Sequence, residues 1–113
     1  MFDNNIHISK SYSEAEKVVL YNGNCLNLLD QIPDKKIQLI VTSPPYNIGK
    51  EYEKKLKLEN YLLQQERVIR ECERVLSDNG SICWQVGNYV NKSEIFPLDI
   101  FYYNLFRDEG YKL

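Results

Sequence analysis

The residues best suited to chemistry form one run, Thr42-Ser43-Pro44-Pro45-Tyr46-Asn47, directly after the apolar stretch 37–41. Each proline fixes its own φ and lacks a backbone N–H, so the pair ends a strand and stiffens the turn that follows. Residues 43–46 therefore predict a rigid shelf that presents a hydroxyl, several carbonyl oxygens and one aromatic ring. These groups suit a flat heterocycle with an exocyclic amino group, because the oxygens accept N–H groups and the ring stacks on a flat face.

The elements that must position this shelf alternate between strands and helices. Helix 58–76 carries apolar side chains at i, i+3 and i+4 spacing, and apolar runs precede and follow it. The alternation predicts an α/β sheet with parallel strands, whose carboxyl ends form the edge where ligands bind. The shelf and Gly87-Asn88-Tyr89 both fall at that edge. The other predicted elements are a strand at 18–21, a short helix over 26–29 that Asn24 caps, strands at 37–42 and 81–86, a turn at 78–80 and a helix at 97–107.

Composition favours one small cytoplasmic domain after a loose polar arm over residues 1–16. The 14 basic and 16 acidic residues nearly balance, so any contact with DNA must come from a local basic patch. Three cysteines lack metal-binding spacing, which predicts reduced, unlinked thiols and no metal site. Cys72 and Cys83 are expected to pack as small apolar groups. No apolar run reaches membrane-spanning length, so no membrane partner is expected.

The segment Ser43-Pro44-Pro45-Tyr46 resembles motif IV of the DNA amino-methyltransferases, whose signature is Asp/Asn/Ser-Pro-Pro-Tyr/Phe. The resemblance extends over about residues 18–113 and includes the blocks VLYNGNCLNLLDQIPDKKIQLIVTSPPYNIGKEYE and RVIRECERVLSDNGSICWQVGNYV. It implies a partial Rossmann-like methyltransferase sheet over residues 17–113. It also implies methyl transfer from S-adenosylmethionine to the exocyclic amino group of cytosine (N4) or adenine (N6) in DNA, as in restriction–modification systems.

The resemblance assigns roles to the shelf residues. Ser43 and the Pro44 carbonyl would accept the N–H groups of the base, Tyr46 would stack on it, and Pro45 completes the motif. The target atom is inaccessible within a duplex, so the expected partner is double-stranded DNA with one flipped base. Serine at the first position leans toward cytosine and leaves adenine open.

Two further sets of residues follow from the resemblance. Asn24 and Cys25, in a turn where the family more often has Gly-Asp-Cys, and Thr42 are candidate cofactor contacts, although helix capping alone explains Asn24. The candidate DNA contacts follow the shelf, and their alternative is a solvated face because Glu51 and Glu53 are interleaved. They are Asn47, Lys50, Lys54 and Lys55.

The chain has five glycines but no Gly-x-Gly, and the family places its glycine-rich cofactor motif far downstream of motif IV. We therefore expect the amino-terminal part of a permuted, beta-class-like methyltransferase that is inactive alone. In the family's sheet order, strands 18–21 and 37–42 are not neighbours, so strand 37–42 would expose an edge and an apolar face. Self-association or pairing with a carboxyl-terminal half would cover them. Two alternatives stay open: a non-catalytic half that only binds a partner chain or nucleic acid, and an unrelated α/β interaction domain.

Overall fold

The computed structural model describes residues 8–49 and 55–112, which form a mixed α/β arrangement. Most of the predicted elements are confirmed, with boundaries shifted by a few residues. In chain order the elements are β1 (Ile8–Ser9), β2 (Leu20–Tyr21), α1 (Cys25–Leu29), β3 (Ile37–Thr42), α2 (Leu58–Val75), β4 (Leu76–Trp84), β5 (Tyr89–Asn91), β6 (Glu94–Phe96) and α3 (Leu98–Asp108).

Strands β3 and β4 form the parallel pair that carries the shelf. Helix α2 connects them, so they make a strand–helix–strand unit of the kind that the alternation predicts. Leu39 lies opposite Ser81, and Thr42 lies opposite Trp84 at the carboxyl end of the pair. Both strands therefore end at the same edge, and the shelf follows directly from β3.

The turn predicted at residues 78–80 is wrong, because these residues lie inside β4. The register shifts there: Ile37 pairs with Leu76, whereas Leu39 pairs with Ser81. The chain approaches itself closely in this irregular stretch, and a Cβ on Gly80 would lie 2.7 Å from the Leu76 side chain. Glycine at position 80 thus permits a bulge in the strand where the sequence pattern suggests an interruption.

One face of the β3–β4 sheet is covered by helices α2 and α3. Ile82 and Trp84 of β4 pack on this side against the buried residues of the two helices. Those buried residues are Tyr61, Ile69, Leu98, Tyr102 and Phe106. The core is therefore a single layer of side chains between the sheet and the helices.

The opposite face of the sheet, which we call the uncovered sheet face, is not covered by any of the residues that the structure describes. Leu39 and Val41, two positions apart on β3, both point to this face and are 58% and 71% exposed. Cys83, which lies opposite Val41, is exposed as well. The prediction that Cys83 packs as an apolar group is therefore wrong, since its side chain points away from the helices, whereas Cys72 on α2 is buried as expected.

The described strands form three two-stranded sheets, and β2 is paired with β1 rather than with β3. The expectation that strands 18–21 and 37–42 are not neighbours is confirmed in this part of the chain. The parallel pairing of Ile8 with Leu20 was not predicted, because the polar arm has no strand periodicity. Antiparallel β5 and β6 form a hairpin that was also missed. None of the described helices is both long and apolar enough to cross a bilayer.

Candidate active site

The shelf occupies the carboxyl end of β3, as the sequence predicts. The Thr42 carbonyl accepts a hydrogen bond from the Gln85 N–H at 2.9 Å, which extends the parallel pairing to the last residue before the shelf. Within the shelf, Ser43 and Pro45 are exposed, Pro44 is buried and Tyr46 is half-buried. The chain therefore presents a hydroxyl and part of an aromatic ring to solvent from a backbone that the prolines stiffen.

Ser43 and Tyr46 contact each other directly. The distance between Ser43 Oγ and Tyr46 Oη is 2.9 Å, and either hydroxyl could donate. A serine hydroxyl has one proton and two lone pairs, so at least one lone pair of Ser43 stays free in either direction. The contact orients the serine while leaving it able to accept an N–H from a ligand.

The segment after β4 meets the shelf, as its position at the same edge of the sheet predicts. Gly87 lies against the Tyr46 ring, where an added Cβ would be 3.4 Å from ring atom Cε2. The ring also packs on the core that α2 and α3 build, so one part of it is fixed and another part reaches solvent. Glycine at position 87 thus places backbone, without a side chain, beside the ring.

A pair of buried tyrosines lies directly under the shelf. Tyr61 of α2 donates from its hydroxyl to the Pro45 carbonyl at 2.5 Å, and its oxygen is 2.7 Å from the Tyr102 hydroxyl of α3. Burial raises the pKa of Tyr102, and the hydrogen bond to Tyr61 acts in the same direction. Helical periodicity alone predicts that Tyr61 is a packing residue on the apolar face of helix 58–76. The available signal was its hydroxyl, which needs a partner when the ring is buried.

Asn47, predicted to contact DNA, is instead buried and 2% exposed. Its Nδ2 donates to the Leu56 carbonyl at 2.9 Å, and its Oδ1 accepts the Leu56 N–H at 2.7 Å. It also adopts φ +59°, a left-handed conformation that asparagine tolerates better than most residues. The side chain therefore joins the two ends of the loop after the shelf through Leu56. A side chain so buried does not offer the DNA contact that the sequence predicts.

The lysines of the same loop are only partly described. Lys50 and Lys54 lie outside the described residues. Lys55 is exposed, and its Nζ lies 3.2 Å from Oδ1 of Asn91 at the end of β5. An exposed ammonium group at this position fits a solvated face as well as a phosphate contact.

The three candidate cofactor contacts do not form a cradle by themselves. Asn24 Oδ1 accepts the Leu26 N–H at 3.0 Å and so caps α1, as predicted. Cys25 is exposed at the first position of that helix, whereas Thr42 is the last residue of strand β3. Because a cofactor site buries most of its ligand, these residues alone do not fit S-adenosylmethionine.

A hollow of about 620 Å³ lies along β4 and α3, away from the shelf. Its lining includes Trp84, Tyr102, Phe106 and Tyr111 but none of the residues 43–46. It borders a strand edge that is unpaired within the described part of the chain. The hollow and the shelf are therefore separate features of the surface.

A protein-family model described as DNA methylase matches residues 37–111 of the chain. The type II methyltransferase M.BglII of Bacillus subtilis is 46% identical over 105 residues, which cover 92% of this chain and 29% of that protein. M.ScaI of Streptomyces caespitosus, also a type II methyltransferase, is 42% identical, with 80% of this chain and 31% of that protein covered. DNA adenine methyltransferase YhdJ of Escherichia coli K12 is 36% identical, with 62% and 24% covered. The chain spans less than a third of the length of these relatives.

Proposed function

Because this chain belongs to the DNA methylase family, we propose that its protein methylates the exocyclic amino group of one base in DNA, at N4 of cytosine or N6 of adenine. S-Adenosylmethionine is the proposed methyl donor. The observation that carries the proposal is the Ser43–Tyr46 pair, which places an acceptor hydroxyl 2.9 Å from the hydroxyl of a stacking ring at the ligand-binding edge of the sheet.

The chemistry asks the shelf to activate a poor nucleophile. The lone pair of the amino nitrogen is delocalised into the base, so acceptors that bind both N–H groups draw the nitrogen toward tetrahedral geometry. Ser43 Oγ is the first acceptor and the Pro44 carbonyl the second. When bound, S-adenosylmethionine supplies an electrophilic methyl group. The shelf would hold the base with its amino lone pair accessible, and positioning of this kind makes a transfer nearly unimolecular.

Tyr46 receives the base after it leaves the duplex. Flipping costs a few kcal/mol of unstacking and unpairing. Stacking on an aromatic ring returns roughly 1–3 kcal/mol per base and tolerates any base. The ring is half-buried, packs on the core and has Gly87 beside it, so it offers the base a partly fixed surface.

The test of this proposal is product identification. The full-length protein, duplex DNA and isotopically labelled S-adenosylmethionine are incubated, and the DNA is digested to nucleosides for mass spectrometry. We expect labelled N4-methylcytosine, because serine stands first in the motif. Labelled N6-methyladenine would keep the reaction and correct the base, whereas DNA without label would contradict the proposal.

A second candidate is a non-catalytic half that binds a partner chain or nucleic acid. The absence of a Gly-x-Gly motif from the 113 residues and the uncovered sheet face favour it for this polypeptide alone. We expect calorimetric titration of the 113-residue polypeptide with S-adenosylmethionine to show no tight binding. A micromolar dissociation constant, about −8 kcal/mol, would contradict this expectation.

A further inference from the structure

We infer that Tyr61 is a positioning residue, whose hydroxyl holds the Pro45 carbonyl and thereby aims the Tyr46 ring. The inference rests on the proposed function, in which that ring stacks on the target base. Tyr61 lies on α2, is 3% exposed, and reaches across 16 positions of sequence to place its Oη 2.5 Å from the Pro45 oxygen. A helix that forms the core thus touches the backbone of the shelf directly.

Of the φ and ψ angles of Pro44 and Pro45, one remains soft for such a contact to hold. The proline rings fix φ of Pro44 and Pro45, and a following proline keeps ψ of Pro44 extended. The angle ψ of Pro45 remains free, and it sets both the direction of the Pro45 carbonyl and the path of the chain into Tyr46. By binding that carbonyl, the Tyr61 hydroxyl holds the dihedral that the two prolines do not.

Tyr102 fixes the direction of the hydrogen bonds. A carbonyl oxygen can only accept, so Tyr61 donates to Pro45 and its own oxygen accepts from Tyr102, 2.7 Å away. Tyr102 is 2% exposed, and its burial keeps the hydroxyl protonated. Both protons therefore point toward the shelf, and the chain of two hydroxyls ends on Pro45.

The hydrogen bond from Tyr61 to Pro45, which we call the anchor, can be measured by NMR at the Pro45 carbonyl carbon. Pro45-Tyr46 is the one Pro–Tyr pair among the 113 residues, so ¹³C-carbonyl proline combined with ¹⁵N-tyrosine labels this peptide bond selectively for NMR. We expect Tyr61→Phe to shift the Pro45 carbonyl resonance, and Tyr102→Phe to shift it less in the same direction. Tyr111→Phe is the matched control, because the Tyr111 hydroxyl is buried without a hydrogen-bond partner among the described residues.

Kinetics separate positioning from mere packing. In the full-length protein we expect Tyr61→Phe to lower kcat for methyl transfer about tenfold, with KM for DNA nearly unchanged. A tenfold loss corresponds to roughly one well-made hydrogen bond in the transition state. A variant with parental kcat, or an unmoved carbonyl resonance, would overturn the inference. A parent chain that transfers no methyl group would defeat the proposed function instead. The resonance would then decide the anchor alone: a shift upholds it, and no shift overturns it.

Discussion

At the scale of single residues, the proposed function divides the work of the shelf between a hydroxyl that accepts and a ring that stacks. Ser43 is exposed and keeps a free lone pair, while Tyr46 is half-buried and lies beside Gly87. Asn47, the next residue, turns inward and closes the loop through Leu56. Ser43 is thus exposed and Asn47 buried, and Asn47 adopts a left-handed φ of +59°.

The three cysteines give a prediction at this scale. Burial raises the pKa of the Cys72 thiol to about 11, with smaller contributions from Cys25 and Glu71. Because the thiolate is the reactive form, Cys72 should resist a disulfide reagent at pH 8 in the folded chain. Cys25 and Cys83 are exposed and should react promptly. Peptide mapping after timed labelling measures the three rates; equal rates in the folded protein would contradict the burial of Cys72.

How far the sequence predicts the site depends on which interactions hold each residue. The position of Ser43 and Tyr46 follows from local chemistry, since a strand that runs into two prolines must turn there. The inward turn of Asn47 depends on where Leu56 lies nine residues later, and local sequence carries no information on that distance. Tyr61 was hidden for a related reason, because helical periodicity records its apolar ring and ignores its hydroxyl.

At the scale of elements, helix α2 and strand β3 are predicted to within one residue, and the second half of β4 is predicted too, because their apolar periodicity is strong. The hairpin of β5 and β6 is not. Its turn residues Lys92 and Ser93 have φ of 51° and 65°. An Asn-Gly pair would predict a hairpin turn with these conformations, whereas Lys-Ser does not. Likewise, Gly80 suggests a turn in sequence, but residues 78–80 lie in the irregular part of β4, between Leu76 and Ser81, which pair with β3.

The junction between α1 and α2 gives a prediction at the element scale. The Arg74 guanidinium donates to the carbonyls of Ile32 at 2.9 Å and Leu29 at 2.7 Å, and it also pairs with Asp34 and Glu71. Removing a charged donor from such carbonyls costs about 1–3 kcal/mol, so we expect Arg74→Ala to lower the free energy of unfolding by that amount.

Two variants test whether this loss is specific. Arg74→Lys should recover little, because an ammonium group cannot reproduce the planar fork of donors. Arg67→Ala, an exposed arginine on the same helix, should change the free energy of unfolding by less than about 0.5 kcal/mol. Urea denaturation of the three variants provides the comparison. If Arg74→Ala unfolds at the parental urea concentration, the junction does not depend on the guanidinium.

At the scale of the whole molecule, the uncovered sheet face is the main departure from a closed α/β domain. Parallel sheets are normally buried on both sides, and here Leu39 and Val41 face solvent. Exposed apolar residues on a strand edge favour association. The face is consistent with a chain that spans less than a third of its relatives, although a second copy would also cover it.

We therefore expect the 113-residue polypeptide to form dimers or larger assemblies, with strand β3 at the contact. Val41→Lys should weaken association, because a charge would have to be buried in the interface. Ile95→Lys, which changes an exposed apolar residue of the hairpin, serves as the control and should not. Light scattering over a range of concentrations measures the mass. A parental polypeptide that stays at 13.4 kDa up to millimolar concentration would contradict the expectation.

The shelf is proposed to perform methyl transfer, and the single-turnover rate of Ser43→Ala in the full-length protein shows whether its hydroxyl takes part. Ser43 is exposed, so the variant should keep the parental free energy of unfolding within about 0.5 kcal/mol. Ser81→Ala, at an exposed serine of β4, is the matched control and should keep the parental rate. We expect Ser43→Ala to transfer methyl groups roughly 100-fold more slowly or worse, as for the loss of one preorganised polar contact. A parental rate in Ser43→Ala would contradict the account, because the hydroxyl would then have no part in the reaction.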